Sequence, residues 1–245
     1  NQSGFYWFDL DWGQEVPDGL DVYYEKEVRK KLNTCHHDMT VGCDVRGYDQ
    51  GLMDVPDNTI IFGNMQDEKY FDHNKELVKE WLKVKEEYDT YEYMDDDVCV
   101  LNYRGGEYVG FHELYLTREY WLNAMENMTK INPNMKFVTI TDDVKASQAM
   151  LPEIPAYHFT VDKDYAIIKN SKHVILSNSS FPFFAVYTSD TIENIIAPKY
   201  WARHNVSDGY WAMSQNIYSG WTYQDRDGNL STAEECVKEL EEYNG

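Results

Sequence analysis

Three short segments of the sequence combine charged or hydroxyl side chains with residues that let a ligand approach the backbone. Residues 102–108 (Asn-Tyr-Arg-Gly-Gly-Glu-Tyr) offer Arg104 as a fixed cation, followed by two glycines. Residues 141–143 (Thr-Asp-Asp) offer paired carboxylates, which can hold ribose hydroxyls, orient a cation or act as a base. Residues 177–181 (Ser-Asn-Ser-Ser-Phe) offer O–H and N–H donors to a phosphate.

Each segment also has an ordinary structural interpretation. Arg104 suits a surface ion pair in a turn, and residues 142–143 suit the N-cap of a following helix. The hydroxyl side chains of residues 177–180 suit simple helix capping in the same way. Residue types and spacing alone leave both interpretations open for all three segments.

The elements around these segments predict where they lie. Short apolar runs alternate with amphipathic stretches, which indicates a parallel sheet covered by helices on both faces. The predicted strands are residues 98–103, 136–141, 173–177 and 194–197. The predicted helices are residues 117–130, 162–171 and 181–188. Each of the three segments follows a strand, and ligands bind beyond the carboxyl ends of parallel strands, so we expect the segments to meet at one edge.

The rest of the chain shows weaker patterns. Residues 1–60 have little periodicity apart from a helix predicted at 21–32. A longer amphipathic helix is predicted at about 67–87. The acidic stretch at 88–97 is interpreted as a solvated loop, or as a linker between two lobes. A capping box at 231–234 predicts a final helix.

Composition excludes several classes of protein. The chain has 245 residues and a net charge of −21, so its surface repels phosphate backbones and generic nucleic-acid binding is not expected. No apolar run approaches the roughly 18 residues of a membrane span, so no transmembrane segment is expected. The 20 Tyr and 7 Trp suit stacking on sugars, although most such rings fill cores and surfaces.

The cysteines bear on location and metal binding. None of the four cysteines forms a Cys-x-x-Cys pair, and we read them as free thiols in a reducing compartment, which predicts a cytoplasmic protein. Five Asn-x-Ser/Thr matches occur without a signal peptide, and they leave a lumenal location open. No metal site is predicted, since 36–38 (His-His-Asp) is not expected to converge on a metal and 225–229 reads as a hairpin turn.

Taken in order, the segments resemble the motifs of the family 11 fucosyltransferases, the α-1,2-fucosyltransferase group. The α-1,6 and protein O-fucosyltransferases are similar more distantly. Residues 102–108 are similar to the family motif His-x-Arg-Arg-Gly-Asp-Tyr, and residues 141–143 to Ser-Asp-Asp. Residues 178–184 are similar to Asn-Ser-Ser/Thr-Phe-Ser-Trp-Trp, and residues 196–199 and 68–71 add shorter matches.

The resemblance covers roughly residues 60–205 and has clear departures. The family's motif His is Asn102 here, and its second Arg is Gly105. The resemblance implies an α/β, GT-B-like arrangement with a Rossmann-type parallel sheet in its C-terminal lobe. We therefore expect a nucleotide-sugar-binding lobe at 96–245, and a smaller or incomplete N-terminal, acceptor-side lobe at 1–95.

The resemblance also implies a reaction: inverting transfer of a sugar, fucose from GDP-fucose, to a glycan acceptor without a cofactor or metal. Arg104 would bind the diphosphate and stabilise the leaving group. Two serines and nearby N–H groups would hold the β-phosphate, and three aspartates would contact the nucleoside or orient the arginine. The residues so assigned to the donor site are Asn102, Arg104, Asp142, Asp143, Asp164, Ser179, Ser180 and Phe181.

An inverting transfer needs a base for the acceptor hydroxyl. Glu113 occupies a place similar to a carboxylate in the α-1,6 group and is the first candidate, with Glu107 the second. Both also suit exposed carboxylates near a helix start. The alternative function is a catalytically degenerate member of the fold that binds a carbohydrate or a partner, having lost the motif His and Arg. A different donor sugar is a third reading.

Overall fold

A computed structural model describes residues 6–8, 17–26, 28–29, 44–45, 48–207, 209, 211 and 214–242. The strands are β1 (Asp21–Tyr24), β2 (Val28–Arg29), β3 (Asp44–Val45), β4 (Thr59–Phe62), β5 (Val98–Tyr103), β6 (Lys136–Thr141), β7 (Ala156–Tyr157), β8 (His173–Leu176), β9 (Asn194–Pro198), β10 (Thr222–Gln224) and β11 (Leu230–Thr232). The α-helices are α1 (Lys75–Trp81), α2 (Arg118–Ile131), α3 (Val144–Met150), α4 (Val161–Asn170), α5 (Phe181–Tyr187) and α6 (Ala233–Glu242).

The main sheet has seven strands in the order β11-β10-β9-β8-β5-β6-β7. All neighbours in this sheet are parallel except β10 and β11, which form an antiparallel pair at one edge. The chain runs outward from β5 through β6 to β7, then returns to β8 and runs outward the other way. This order reverses between β5 and β8, as in a Rossmann-type sheet. The predicted α/β class and the parallel sheet of the C-terminal part are confirmed.

The strands are buried on both faces, which explains their continuous apolar character. Every residue of β5 is buried. Its alternate residues face two separate clusters: Val98 and Val100 pack in the cluster that includes α4 and α5. Cys99 and Leu101 pack in the cluster built on α2. The helices that cover the sheet therefore lie where their apolar stripes predict.

Two helix predictions outside the main sheet are wrong in type or in length, whereas the predicted final helix is confirmed as α6 with its capping box shifted by one residue. The predicted helix at 21–32 begins instead with β1, which pairs in parallel with β4, 38 residues further along in register. The helix predicted at 67–87 is only α1, preceded by two 3₁₀ turns. The capping box lies one residue later, since Thr232 N–H donates to Glu235 Oε2 at 2.8 Å and Glu235 N–H donates to Thr232 Oγ1 at 3.3 Å.

The acidic stretch at 88–97 is held against the main sheet rather than left as a free linker. Asn170 Nδ2 donates to Asp89 Oδ1 at 2.6 Å and to the carbonyl of Thr90 at 2.7 Å. Lys163 on α4 pairs with Glu92 at 2.8 Å, and Lys136 on β6 pairs with Asp97 at 2.6 Å. The negative charges of this stretch are thus partly matched by cations of the sheet and α4.

The N-terminal residues 6–8 pack against the same body. Trp7 and Phe8 are buried, and the ring of Phe8 meets that of Tyr165 on α4 edge to face at 5.2 Å. Tyr6 Oη donates to Asp162 at 2.5 Å, which raises the pKa of Tyr6 to about 12. Because Trp7 and Phe8 join the core cluster that contains Val98 and Val100, contacts cross the predicted boundary between residues 95 and 96. The two-lobe division stays a prediction.

None of the helices in the described part of the chain is long and apolar enough to cross a lipid bilayer. Cys99 and Cys236 are free and buried, and burial raises the pKa of both thiols. Cys35 and Cys43 lie outside the described residues. Residues 36–38, which are not expected to bind a metal, also lie outside them.

Candidate functional site

A cleft of about 110 Å³ opens at the carboxyl ends of β5, β6 and β8, at the point where the strand order reverses. Open parallel sheets bind ligands at this position. The three segments singled out in the sequence meet here. The residues that line the cleft are Asn102, Tyr103, Arg104, Ile140, Thr141, Asp142, His158, Val161, Asp164, Ser179 and Phe181.

Arg104 leaves the end of β5 and is held by two carboxylates. Its guanidinium pairs with Asp142 Oδ2 and with Glu107 Oε1, both at 2.6 Å, and lies 5.2 Å from the ring centre of Tyr108. The side chain is 30% exposed, so it remains accessible from the cleft. A guanidinium held by two carboxylates presents its remaining N–H groups in a fixed direction.

The two glycines after Arg104 lie against the acidic pair that follows β6. Gly105 N–H donates to Asp142 Oδ1 at 2.8 Å, and Gly106 N–H donates to Asp143 Oδ2 at 3.3 Å. A Cβ at Gly105 would lie 2.6 Å from the Cβ of Asp143, and Gly106 has a φ of +52°. Glycine is therefore required for this close approach, which accounts for Gly105 standing where the family pattern has its second Arg.

Asp142 and Asp143 have different roles. Asp142 pairs with Arg104 and lines the cleft. Asp143 caps α3, because its Oδ1 accepts from Ala146 N–H at 2.9 Å, and it does not line the cleft. The capping interpretation is confirmed for Asp143, and a role of Asp142 in ligand binding stays a prediction.

The hydroxyl segment after β8 contributes one side chain to the cleft. Ser179 lines it and is buried, whereas Ser180 is exposed and lies outside the lining. Phe181, the first residue of α5, closes this side. Asn102, at the end of β5, is buried and accepts from Ser177 Oγ at 3.1 Å, so its amide is fixed at the cleft floor.

The far end of the cleft contains a buried carboxylate and an imidazole. Asp164 accepts from Phe159 N–H at 3.0 Å and pairs with His158 Nδ1 at 2.6 Å, with its side chain 6% exposed. Burial raises the pKa of Asp164 above its ordinary value, although these hydrogen bonds oppose the shift. Sequence reasoning missed His158, since β7 before it is only two residues long and gives no strand signal.

The two candidate bases lie outside the cleft lining. Glu107 is 61% exposed and bonded to Arg104. A hydrogen bond with its own backbone, together with the Arg104 guanidinium, holds the pKa of Glu107 below its ordinary value. Glu113 is half-buried on the loop at 111–116, and the neighbouring Leu114 carbonyl accepts from Asn178 Nδ2 at 2.9 Å. The structure therefore places Glu113 on a loop tied to the serine segment.

Metal-binding patterns are absent from the described part of the chain, where no group of three or more His, Cys, Asp or Glu side chains is placed to hold a metal ion. Residues 225–229 form the β10–β11 hairpin turn, in which Asp225 Oδ1 accepts from the N–H groups of Asp227 and Asn229. The hairpin prediction is confirmed.

Comparison with known proteins agrees with the motif order. A solved structure of Thermosulfurimonas dismutans KpsC, a beta Kdo 2,7 transferase, matches with 18% sequence identity, covering 73% of this chain and 62% of that one. Its TM-score of 0.34 is too low to align the two sites. No curated protein sequence matches the chain. The model of glycosyl transferase family 11 matches residues 35–225, a span that includes every strand from β4 to β10 and the whole cleft. The chain belongs to glycosyl transferase family 11.

Proposed function

We propose that the protein is an inverting glycosyltransferase that moves fucose from GDP-fucose to a glycan acceptor without a metal ion. The observation that carries this proposal is the position of Arg104, a guanidinium in the cleft wall at the switch point of the sheet. A placed cation of this kind suits a diphosphate, and in a chain with a net charge of −21 the attraction must be local. Family membership supports the same reaction class.

Donor binding would use the groups that the cleft brings together. Arg104 would bind the diphosphate while its ion pair with Asp142 orients the guanidinium. The ligand would displace the exposed Glu107 carboxylate from Arg104. Ser179 would donate to the β-phosphate from the opposite wall. The buried Asp164 and the exposed His158 that pairs with it would meet the nucleoside end, where a carboxylate can accept from base or ribose donors.

Leaving-group stabilisation is the main chemical task of this arrangement. Breaking the sugar–phosphate bond places negative charge on the β-phosphate, and an oriented guanidinium stabilises that charge as it develops. Removing one such donor costs about 10²–10³ in rate. Asp143 would act indirectly, because it caps α3 and accepts from Gly106 N–H. The residue that pairs with Arg104 is Asp142.

Glu113 is the proposed base for the acceptor hydroxyl. Glu107 is less suited, since its lowered pKa weakens it as a base and its carboxylate is engaged by Arg104. An inverting reaction brings the acceptor to the sugar from the side opposite the diphosphate, so the base need not line the nucleotide cleft. If Glu113→Gln retains full transfer activity, this assignment is wrong. We place the reaction in the cytoplasm on the basis of the cysteine pattern.

Thermal unfolding with GDP, GDP-fucose, UDP and UDP-glucose tests the donor. A ligand at about 100 times its Kd should stabilise the fold by about 2.7 kcal/mol. Each kcal/mol raises Tm by roughly 2–4 °C for a chain of this size. We expect a shift with the two guanosine nucleotides alone, and its loss in Arg104→Gln. Arg118→Gln is the matched control, because Arg118 pairs with Glu153 away from the cleft.

The other outcomes each have a defined meaning. A shift with uridine nucleotides would keep the glycosyltransferase and replace the donor. No shift with any nucleotide would support the degenerate binding protein. A shift that survives in Arg104→Gln would remove Arg104 from the diphosphate site.

A further inference from the structure

The loop that carries Glu113 is held by amide side chains from elsewhere in the chain. Asn205 Nδ2 donates to the carbonyl of His112 at 2.5 Å and to that of Tyr115 at 2.7 Å. The Leu114 carbonyl receives Asn178 Nδ2. The carbonyls on both sides of Glu113 are therefore bonded to side chains outside the loop, while Leu114 and Tyr115 N–H bond back to the Phe111 carbonyl.

Asn205 is itself fixed from the other side. Arg226, in the hairpin after β10, donates to the Asn205 carbonyl at 3.0 Å and to the Ser207 carbonyl at 2.6 Å. The turn that contains Asn205 follows a 3₁₀ helix at Trp201–Arg203. One amide thus bridges the turn after β9 and the loop after β5, and a guanidinium holds the bridge in place.

We propose that Asn205 is a positioning residue that fixes the 111–116 loop and so sets the orientation of the Glu113 carboxylate toward the acceptor. This inference rests on the proposed function, in which Glu113 is the base. Glu113 has no hydrogen-bond or ion-pair partner of its own within the described residues, so its backbone is what holds it. Misplacing a reacting group by about 1 Å can lower a rate 10²-fold, so loss of the bridge acts on kcat.

Asn205→Asp is the sharpest variant, because the carboxylate keeps the shape of the side chain and cannot donate to the two carbonyls. We expect kcat to fall about 10- to 100-fold, with the donor KM and the nucleotide-induced Tm shift unchanged. Asn134→Asp is the matched control, since Asn134 is an exposed turn residue whose side chain makes no hydrogen bond to any described residue. It should leave both constants unchanged.

A double-variant comparison separates positioning from a structural effect. In a Glu113→Gln background, Asn205→Asp should change kcat less than about 2-fold, because its effect passes through Glu113. An equal fall in both backgrounds would overturn the proposal while leaving Glu113 as the base. Full activity in Glu113→Gln alone would overturn the base assignment, and the positioning role with it.

Backbone amide exchange supplies a readout that does not need activity. The amides of Leu114 and Tyr115 report on the loop, and Asn205→Asp should speed their exchange about 10-fold relative to Asn134→Asp. Unchanged exchange would overturn the proposal whatever the donor proves to be. Arg226→Gln, which removes the support behind Asn205, should give a smaller effect in the same direction.

Discussion

Replacing Gly105 by alanine should damage both stability and donor binding. The added Cβ would lie 2.6 Å from the Cβ of Asp143 and 3.3 Å from that of Ala146, whereas ordinary contact begins at 3.4 Å. The Arg-Gly-Gly segment and the start of α3 must therefore move apart by about 0.8 Å. Overpacking of this kind costs about 1–3 kcal/mol, and each kcal/mol lowers Tm by roughly 2–4 °C.

The same movement reaches Arg104, which precedes Gly105 in the chain. Arg104 and Gly105 N–H both bond to the Asp142 carboxylate, so we expect the movement to lengthen or break at least one of these bonds. We expect the GDP-induced Tm shift to fall in Gly105→Ala, measured by thermal unfolding with and without nucleotide. Gly110→Ala is the matched control on the same loop, because a Cβ there meets nothing within 4 Å. Equal Tm values for the two variants would refute the packing argument, and Gly105→Arg would then be expected to fold.

Two further predictions concern stability. His204 is buried, its Nδ1–H donates to the Lys199 carbonyl at 3.0 Å, and burial lowers its pKa to about 4. In the unfolded chain the imidazole of His204 takes up a proton near pH 6.5, whereas in the folded chain it stays neutral until about pH 4. The free energy of unfolding therefore has its full value above pH 6.5 and falls by about 2–3 kcal/mol as the pH drops to 4.5. Urea unfolding between pH 6.5 and 4.5 should show this loss of stability, and the loss should disappear in His204→Gln. If the free energy of unfolding of His204→Gln still falls as steeply with pH, other groups cause the loss. Thr232→Ala removes the N-cap of α6 and should lower the free energy of unfolding by about 1 kcal/mol in the same urea assay. Ser180→Ala, at an exposed position, is the control and should leave the free energy of unfolding unchanged.

The central sheet could be predicted because its strands carry their own signal. Val98–Tyr103 is a mostly apolar run of the length of a buried strand, and Lys136–Thr141 is a second short run rich in β-branched and aromatic residues. The three polar segments follow such strands, so their meeting at one edge followed from the parallel arrangement alone. The cleft confirms that they meet, with Asn102, Arg104 and Ser179 all in its lining.

The errors have a common physical cause, which is pairing with distant partners. Asp21–Tyr24 is a strand only because Thr59–Phe62 lies beside it, and local periodicity does not record that. The same holds for His158, whose position depends on a two-residue strand and on the buried Asp164. The bridge from Asn205 to the 111–116 loop joins residues about 90 positions apart and leaves no pattern in the sequence.

The packing of Tyr6, Trp7 and Phe8 has a consequence for synthesis of the chain. They are synthesised before the Asp162 that bonds Tyr6, because Asp162 follows 156 residues later in the chain. At a synthesis rate of about 5–20 residues per second, roughly 8–30 s pass between the synthesis of these three side chains and that of Asp162. During that interval they form an exposed aromatic segment that chaperones or proteases can bind. Late docking of residues 6–8 therefore makes the yield of folded protein sensitive to whatever binds these side chains during synthesis.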